Sequence, residues 1–257
     1  MFMRLFAIGD VVGSVGCRFL RAKLPAFKRV KGVDVVIANG ENSADGNGIT
    51  ASSVRYLLDS GVDLLTGGNH SFRRKESYDL YDECEQLLRP ANFPSGAPGR
   101  GFAVLDLGRL QIGVLNLMGT VYLDALDNPF DTADRLLQGA PKITVVDFHA
   151  EATGEKRSMG YHLAGKVSAL WGTHTHVQTA DDCILPGGTG YITDLGMTGT
   201  VESVLGVKPA LTIRMMRSKL PVRFELVQDG PMKLDGCLFD IDETTGRCTH
   251  AERIELQ

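Results

Sequence analysis

Val33-Asp34-Val35-Val36-Ile37-Ala38-Asn39-Gly40-Glu41-Asn42 is an apolar run that breaks into polar and small residues. Its continuous Val and Ile content predicts a strand buried on both faces, as in a parallel sheet. Runs of the same kind lie before it at Leu5–Ile8 and after it at Val62–Thr66. Segments with helical spacing separate the three runs, so this part of the chain predicts a β-α-β-α-β arrangement.

The rest of the chain adds helical segments and many short strands. Helices are predicted at Val15–Arg29, at Thr50–Asp59 with Thr50 as N-cap, and at Lys75–Leu88. The predicted strands that follow are Gly101–Leu107 and Leu110–Leu117 (a hairpin), Ile143–Phe148, Val167–Trp171, Tyr191–Asp194, and the tail strands Ala210–Met216, Val222–Gln228, Lys233–Ile241 and Cys248–Leu256. A parallel first half and an antiparallel second half predict an α/β protein with two mixed β-sheets packed face to face, helices outside, and a single domain over residues 1–257.

Composition narrows the class of protein. The 257 residues include 27 Lys and Arg against 31 Asp and Glu, a net charge of −4, which argues against a broad nucleic-acid surface. No run approaches the roughly 20 apolar residues of a membrane-spanning helix, and the first residues do not resemble a signal peptide. The five cysteines are widely spaced and form no C-x-x-C pair. We therefore expect reduced thiols and a cytoplasmic protein that makes no membrane contact.

Polar side chains capable of binding metal follow several predicted strands. Because the carboxyl ends of strands are where open α/β sheets place their chemistry, we expect these side chains to converge. Each alone has an ordinary explanation as a helix cap, a loop residue or a buried histidine, but together they favour a metal site. The candidates are Asp10, Glu41, Asn42, Asn69, His70, His149, His174 and His176.

The number of candidate ligands favours two ions over one. A catalytic zinc needs four protein ligands or fewer, whereas two metals about 3.5–4 Å apart with one shared carboxylate use a larger set. His174 and His176 would point to opposite sides of an extended chain, so either the chain bends there or the two histidines serve different ions. Mixed oxygen and nitrogen ligands without a thiolate suit iron or manganese better than zinc, although zinc also fits.

A series of short motifs, in order along the chain, carries a family resemblance. They are Gly9-Asp10-Val11-Val12-Gly13, Asn39-Gly40-Glu41-Asn42, Gly68-Asn69-His70, Arg89-Pro90-Ala91-Asn92, Asp147–Thr153, Gly172–Asp181, Leu185–Thr189 and Asp194–Gly199. Over nearly its whole length the chain resembles the YmdB-type branch of the calcineurin-like metallophosphoesterases. Val12 and Glu41 stand where the wider superfamily has a histidine and an aspartate, and the YmdB-type branch shows the same departures.

The resemblance implies a four-layer α/β/β/α sandwich and a role for each candidate. It implies that Glu41 bridges two metals and that His70 is the catalytic acid rather than a ligand. The remaining ligands would divide into Asp10, Asn42 and His176 for one metal, and Asn69, His149 and His174 for the other. It implies a phosphodiesterase that uses a metal-bridging hydroxide, with 2′,3′-cyclic nucleotides as the leading small phosphodiester substrates. A homo-oligomer is compatible with it.

Two stretches depart from the branch. Ser71-Phe72-Arg73 replaces an expected aromatic and acidic pair, and Thr120 replaces an expected arginine. We expect both to line the mouth of the site, so a regulatory protein that binds a nucleotide with little turnover is the alternative function. A dinucleotide-binding oxidoreductase fits poorly, because Gly9, Gly13 and Gly16 give G-x-x-x-G-x-x-G and not G-x-G-x-x-G.

Overall fold

Two β-sheets form the centre of the protein, in a computed structural model that describes residues 1–257. The first sheet comprises β1 (Phe2–Ile8), β2 (Asp10–Val11), β3 (Val35–Asn39), β4 (Leu64–Thr66), β11 (Met197–Thr200), β12 (Met232–Asp242) and β13 (Cys248–Leu256). Its order is β2-β11-β12-β1-β3-β4, and β13 also pairs with β12. The strands β1, β3 and β4 are parallel, whereas β12 runs antiparallel to β1, β11 and β13.

The second sheet is built from the middle of the chain. It comprises β5 (Phe102–Asp106), β6 (Gln111–Met118), β7 (Ile143–His149), β8 (Ala169–Thr173), β9 (Cys183–Leu185) and β10 (Thr189–Ile192), in the order β5-β6-β7-β8-β10-β9. Its four central strands are parallel, and its two edge strands are antiparallel to their neighbours. Both sheets are therefore mixed, as predicted, but parallel strands are not confined to the first half of the chain.

Six α-helices connect the strands of the two sheets. They are α1 (Gly13–Lys31), α2 (Ala51–Leu58), α3 (Tyr78–Glu83), α4 (Pro129–Leu136), α5 (Thr153–Leu163) and α6 (Pro209–Ser218), with a 3₁₀ turn at Lys75–Ser77. Thr50 caps α2 in a capping box with Ser53, as its sequence predicts. None of the helices combines the length and apolar character that crossing a membrane requires.

The apolar layers hold the four-layer sandwich together. Between the sheets, the rings of Trp171 on β8 and Phe239 on β12 stack with centroids 5.8 Å apart. On the outer face of the first sheet, Leu20 and Leu24 of α1 belong to one buried cluster with Phe6 of β1. A third cluster joins α5 to the outer face of the second sheet. Burial of these faces is the main favourable term in folding, and it confirms the predicted α/β/β/α arrangement.

Three predicted elements are wrong in extent or type. The predicted helix Lys75–Leu88 ends at Glu83, because Leu88 and Gln86 instead form backbone hydrogen bonds with Leu65 of β4. The predicted strand Ala210–Met216 is part of α6, which begins with a proline at its first turn and lies outside both sheets. The predicted strand Val222–Gln228 is irregular apart from one isolated bridge to Val207. The predicted tail strands Lys233–Ile241 and Cys248–Leu256 are confirmed.

Candidate metal centre

The polar residues at the strand ends meet in one place. Asp10 lies in β2, Glu41 and Asn42 follow β3, and Asn69 follows β4. His149 is the last residue of β7, and the chain leaving β8 carries His174 and His176. Because the two sheets face each other, these ends bring side chains from both sheets together. All seven predicted metal ligands are within a single cluster of contacts.

One group of donor atoms surrounds the imidazole of His149. Its Nε2 lies 2.9 Å from Asn69 Oδ1, 3.1 Å from His174 Nδ1 and 3.3 Å from Glu41 Oε1. The donor atoms of Glu41, His149 and His174 all lie within 4.8 Å of one another. An amide oxygen, two imidazoles and a carboxylate form a typical mixed donor set for a transition metal.

A second group of donor atoms also contacts Glu41. His176 Nε2 is 3.5 Å from Asp10 Oδ1, and the Asn42 amide is within 3.4 Å of both of these side chains. The same amide lies 3.2 Å from Glu41 Oε1. Rotation of that amide by half a turn presents its oxygen to the same space, as metal ligation requires.

Glu41 is the side chain that the two groups share. It is 1% exposed and lies between His149 and Asn42, and its Oε2 accepts a hydrogen bond from the backbone N–H of His70 at 2.8 Å. Gly68 leaves room for this arrangement, because a Cβ atom there would overlap both the Glu41 carboxylate and the His149 ring. A carboxylate between two donor groups has the placement of a bridging ligand.

The charges of the cluster favour a cation at its centre. Burial raises the pKa of the Glu41 carboxyl, but His149 and His70 outweigh burial and hold it well below its usual range. Burial lowers the pKa of the His149 imidazole, yet Glu41 and Asp10 outweigh it and raise that pKa to about 9. Positive charge beside the buried Glu41 carboxylate therefore favours its ionised form. A metal ion can replace the proton in that role, and the donor set fits one.

Comparison with known proteins identifies the family. The model of the YmdB-like protein family matches residues 6–254. This chain belongs to the YmdB-like family. The 2′,3′-cyclic-nucleotide 2′-phosphodiesterase of Bacillus subtilis strain 168 is 45% identical to this YmdB-like chain over 255 residues, which cover 98% of the chain and 96% of the relative.

Two crystal structures resemble the whole of this YmdB-like protein. A hypothetical protein from Thermus thermophilus is 39% identical, with a TM-score of 0.93 and 99% of each chain covered. A phosphatase from Mycoplasma pneumoniae is 32% identical, with a TM-score of 0.94, and the match covers 100% of this chain and 94% of that one. The fold and the family are therefore shown over essentially the full length of the sequence.

The backbone of this YmdB-like chain bends sharply at His174-Thr175-His176. His174 has φ 101° and His176 has φ 62°, values that side-chain-bearing residues adopt only when their surroundings enforce them. The backbone N–H of Thr175 donates to Asp194 Oδ2 at 3.1 Å, and that of His174 donates to Asp10 Oδ2 at 3.0 Å. The sequence left open a bend or two separate ions; the structure has the bend, and the two imidazoles lie in different donor groups.

A buried ion pair fixes this bend. Lys156 of α5 lies 2.6 Å from Asp194 Oδ2, and both side chains are 1% exposed. The other oxygen of Asp194 accepts from the backbone N–H of Gly196 at 2.8 Å. In the sequence Asp194 stands out only as part of a motif and Lys156 does not stand out at all, because a lysine in a charged helix gives no sign of burial.

Replacement of Lys156 by methionine is expected to destabilise the protein strongly. Asp194 would then be a buried carboxylate without its cation, a change that costs about 3–5 kcal/mol of unfolding free energy. Lys166→Met is the matched control, because Lys166 pairs with Asp134 on the surface with both side chains about half exposed, and such pairs contribute about 1 kcal/mol or less. Urea unfolding of the metal-free proteins measures both; equal midpoints for the two variants would refute the role of Lys156.

A second layer of hydrogen bonds orients the His149 ring. Its Nδ1 lies 3.0 Å from Thr173 Oγ1, which donates to Asp147 Oδ1 at 2.7 Å. Asp147 also accepts from Thr66, and its burial raises its pKa to about 6. Around His174, the carboxylate of Glu151 lies 3.0 Å from Nε2. Such partners fix ring orientation and strengthen imidazole as a ligand. Nothing in the local sequence around Thr66, Glu151 or Thr173 marks them as partners of a histidine.

His70 lies beside the metal ligands and faces solvent. Its Nδ1 is 3.1 Å from Glu41 Oε1, its side chain is 27% exposed, and its Nε2 has no hydrogen-bond partner in the protein. It lines a recess of about 460 Å³ together with Asn69, Arg73, Tyr122, Leu123 and Asp124. Arg73 is thus at the mouth, as predicted. Thr120 lines the neighbouring recess instead, where its N–H donates to Glu155 at 2.8 Å.

Proposed function

We propose that this protein is a dinuclear-metal phosphodiesterase that hydrolyses phosphate diesters, with 2′,3′-cyclic nucleotides as its main substrates. The observation that carries the proposal is the Glu41 carboxylate, buried between two groups of donor atoms. The family relationship supports the reaction, because the Bacillus subtilis relative is a 2′,3′-cyclic-nucleotide phosphodiesterase. We also propose that residues 1–257 act as a single domain.

The proposal gives each ligand a place. Glu41 would bridge the ions, Asp10, Asn42 and His176 would complete one site, and Asn69, His149 and His174 would complete the other. When bound, the two ions would supply a hydroxide nucleophile near neutral pH and neutralise charge on the phosphate. Iron or manganese suits this donor set best, and zinc also fits. The cytoplasm remains the expected setting, on the sequence arguments above.

His70 would act on the leaving oxygen. Its Nδ1 is held against Glu41, which orients the ring, and its free Nε2 is available to donate a proton. A positioned imidazole that protonates a leaving oxygen accelerates hydrolysis by roughly 10²–10⁴-fold. The phosphate would enter through the recess that His70 and Arg73 line, where the arginine side chain can attract its negative charge.

Turnover of a panel of phosphate esters tests this function. We expect 2′,3′-cyclic AMP to be opened to a monophosphate, bis(p-nitrophenyl) phosphate to be cleaved more slowly, and the monoester p-nitrophenyl phosphate to be the poorest substrate. Dialysis against a chelator should abolish the activity, and Mn²⁺ or Fe²⁺ should restore it. Tight binding of the cyclic nucleotide by the metal-loaded protein without release of monophosphate would overturn the proposal and favour the regulatory nucleotide-binding alternative.

A further inference from the structure

A second, larger recess adjoins the one at His70. Its volume is about 920 Å³, and Arg73 lines both recesses. The smaller recess is of a size that holds one nucleoside, and the larger one lies within the range of pockets that take a whole small ligand. A substrate that reaches beyond Arg73 from the metal centre would therefore enter the larger recess.

The chain next to one wall of the larger recess contacts a candidate metal ligand. One wall is formed by residues 207–208 and 222–228, which are joined where Lys208 N donates to Glu225 O at 2.9 Å and Val227 N donates to Gly206 O at 2.9 Å. The carbonyl oxygen of Leu205 lies 3.3 Å from Nδ1 of His176. The wall and the metal centre are thus one connected structure.

Cationic side chains dominate the larger recess. The cations on its lining are Arg73, Arg74, Lys208 and Arg223, against the acidic residues Asp45 and Glu225. Three of these charges are already engaged. Lys208 pairs with Glu225 at 2.7 Å, and the Arg74 guanidinium donates to the carbonyl oxygens of Asn47 and Asp45 at 2.8 and 2.6 Å.

The other acidic residue is also engaged. Asp45 accepts hydrogen bonds from the backbone N–H of Ser14 at 2.8 Å and from its hydroxyl at 3.1 Å. Of the charged residues that line the recess, only Arg73 and Arg223 remain unpaired. Neither guanidinium group forms a hydrogen bond or an ion pair with the protein. Two free guanidinium groups at separate points of one recess can bind two negative charges, and phosphate diesters suit their planar donor geometry.

An exposed aromatic ring lies next to these cations. Phe224 is 43% exposed and lines the recess together with Arg223 and the partly buried apolar residues Val222 and Leu226. An exposed ring among cations is the combination by which proteins hold single-stranded nucleic acid, because bases stack on the ring while arginines contact the phosphates. The local site does not require a basic surface over the whole protein.

We propose that the substrate extends to the 3′ end of an RNA strand that terminates in a 2′,3′-cyclic phosphate. The terminal nucleotide would occupy the recess at His70, and the preceding nucleotide would occupy the larger recess. Arg73 would bind the phosphate that links them, Phe224 would stack on the preceding base, and Arg223 would bind the next phosphate. This inference rests on the proposed function.

The chemistry at the terminus is unchanged by the extension. The oxygen of a water molecule forms a bond to phosphorus, one sugar oxygen leaves phosphorus, and a proton is transferred to that sugar oxygen. The product is a strand with a terminal monoester. The extra nucleotide contributes binding energy remote from the reacting bond.

The test compares 2′,3′-cyclic AMP with the 5′-phosphorylated dinucleotide 5′-phospho-adenylyl-adenosine 2′,3′-cyclic phosphate, whose 5′-phosphate takes the place of the next phosphate of the strand. For the wild-type enzyme we expect kcat/KM to be about tenfold or more higher for the dinucleotide, consistent with base stacking on an aromatic ring. Phe224→Ala and Arg223→Ala should each reduce the ratio of the two kcat/KM values toward one. Arg214→Ala is the matched control, because Arg214 is exposed on α6 and does not line the recess.

The possible results separate the two proposals. Turnover of 2′,3′-cyclic AMP with an equal or lower kcat/KM for the dinucleotide overturns the RNA-end substrate and leaves the phosphodiesterase intact. An advantage that survives in both Phe224→Ala and Arg223→Ala also overturns this binding mode. Failure of the metal-loaded enzyme to hydrolyse either compound contradicts the phosphodiesterase itself.

Discussion

Glu41→Gln is expected to lose both metal ions together with essentially all phosphodiesterase activity. The glutamine keeps the size of the side chain but removes the negative charge that both donor groups share. An amide is also a much weaker bridging ligand than a carboxylate, so neither ion would be retained at the affinity of the wild-type protein. Metal content by plasma emission after gel filtration, with activity on 2′,3′-cyclic AMP, measures the effect.

Glu155→Gln is a suitable control for this variant. Glu155 accepts hydrogen bonds from Thr120 and Val121 in the neighbouring recess and contacts none of the candidate ligands. It should retain the full metal content. Loss of only one ion from Glu41→Gln would identify Glu41 as a terminal ligand, and retention of both would remove it from the coordination sphere.

His70→Ala is expected to keep both metals and to lose most turnover. The Nε2 of His70 has no partner in the protein and lies on the wall of the recess, which suits a group that donates to the leaving oxygen. For 2′,3′-cyclic AMP, whose leaving group is a sugar oxygen, kcat should fall by roughly 10²–10⁴-fold. The loss should be much smaller for bis(p-nitrophenyl) phosphate, because p-nitrophenolate leaves without protonation.

This difference between substrates separates acid catalysis from a structural role. A general loss of site geometry would lower both rates equally and reduce metal content. His162→Ala is the control, because His162 pairs with Asp134 on the surface at 3.0 Å. This variant should leave both hydrolysis rates and the metal content unchanged. An equal loss on both substrates, or loss of metal from His70→Ala, contradicts its assignment as the acid.

Much of the fold could be predicted from the sequence because strands that are buried on both faces consist of continuous runs of apolar residues. The run before Glu41 is apolar throughout, and it forms β3, which is buried on both faces. The N-cap at Thr50 could also be predicted, because its hydrogen bonds are local: the Thr50 hydroxyl and Ser53 satisfy the N–H groups at the start of α2. The candidate ligands could be expected to lie together because each is at or just after the end of a predicted strand.

The errors arose where distant parts of the chain decide the structure. The segment after Glu83 pairs with β4 instead of continuing as a helix, and only the presence of that strand determines this. Ala210–Met216 alternates apolar residues like a strand, but no strand partner lies beside it and it forms α6. Lys156 and Asp194 are 38 positions apart in the sequence. Their buried ion pair therefore could not be predicted from any local sequence pattern.

The most direct test of the dinuclear site is anomalous diffraction from crystals of the protein loaded with Mn²⁺. We predict two anomalous peaks about 3.5–4 Å apart, one beside His149 and the other beside His176, with the Glu41 carboxylate between them. A single peak, or a second ion that does not contact Glu41, would contradict the account.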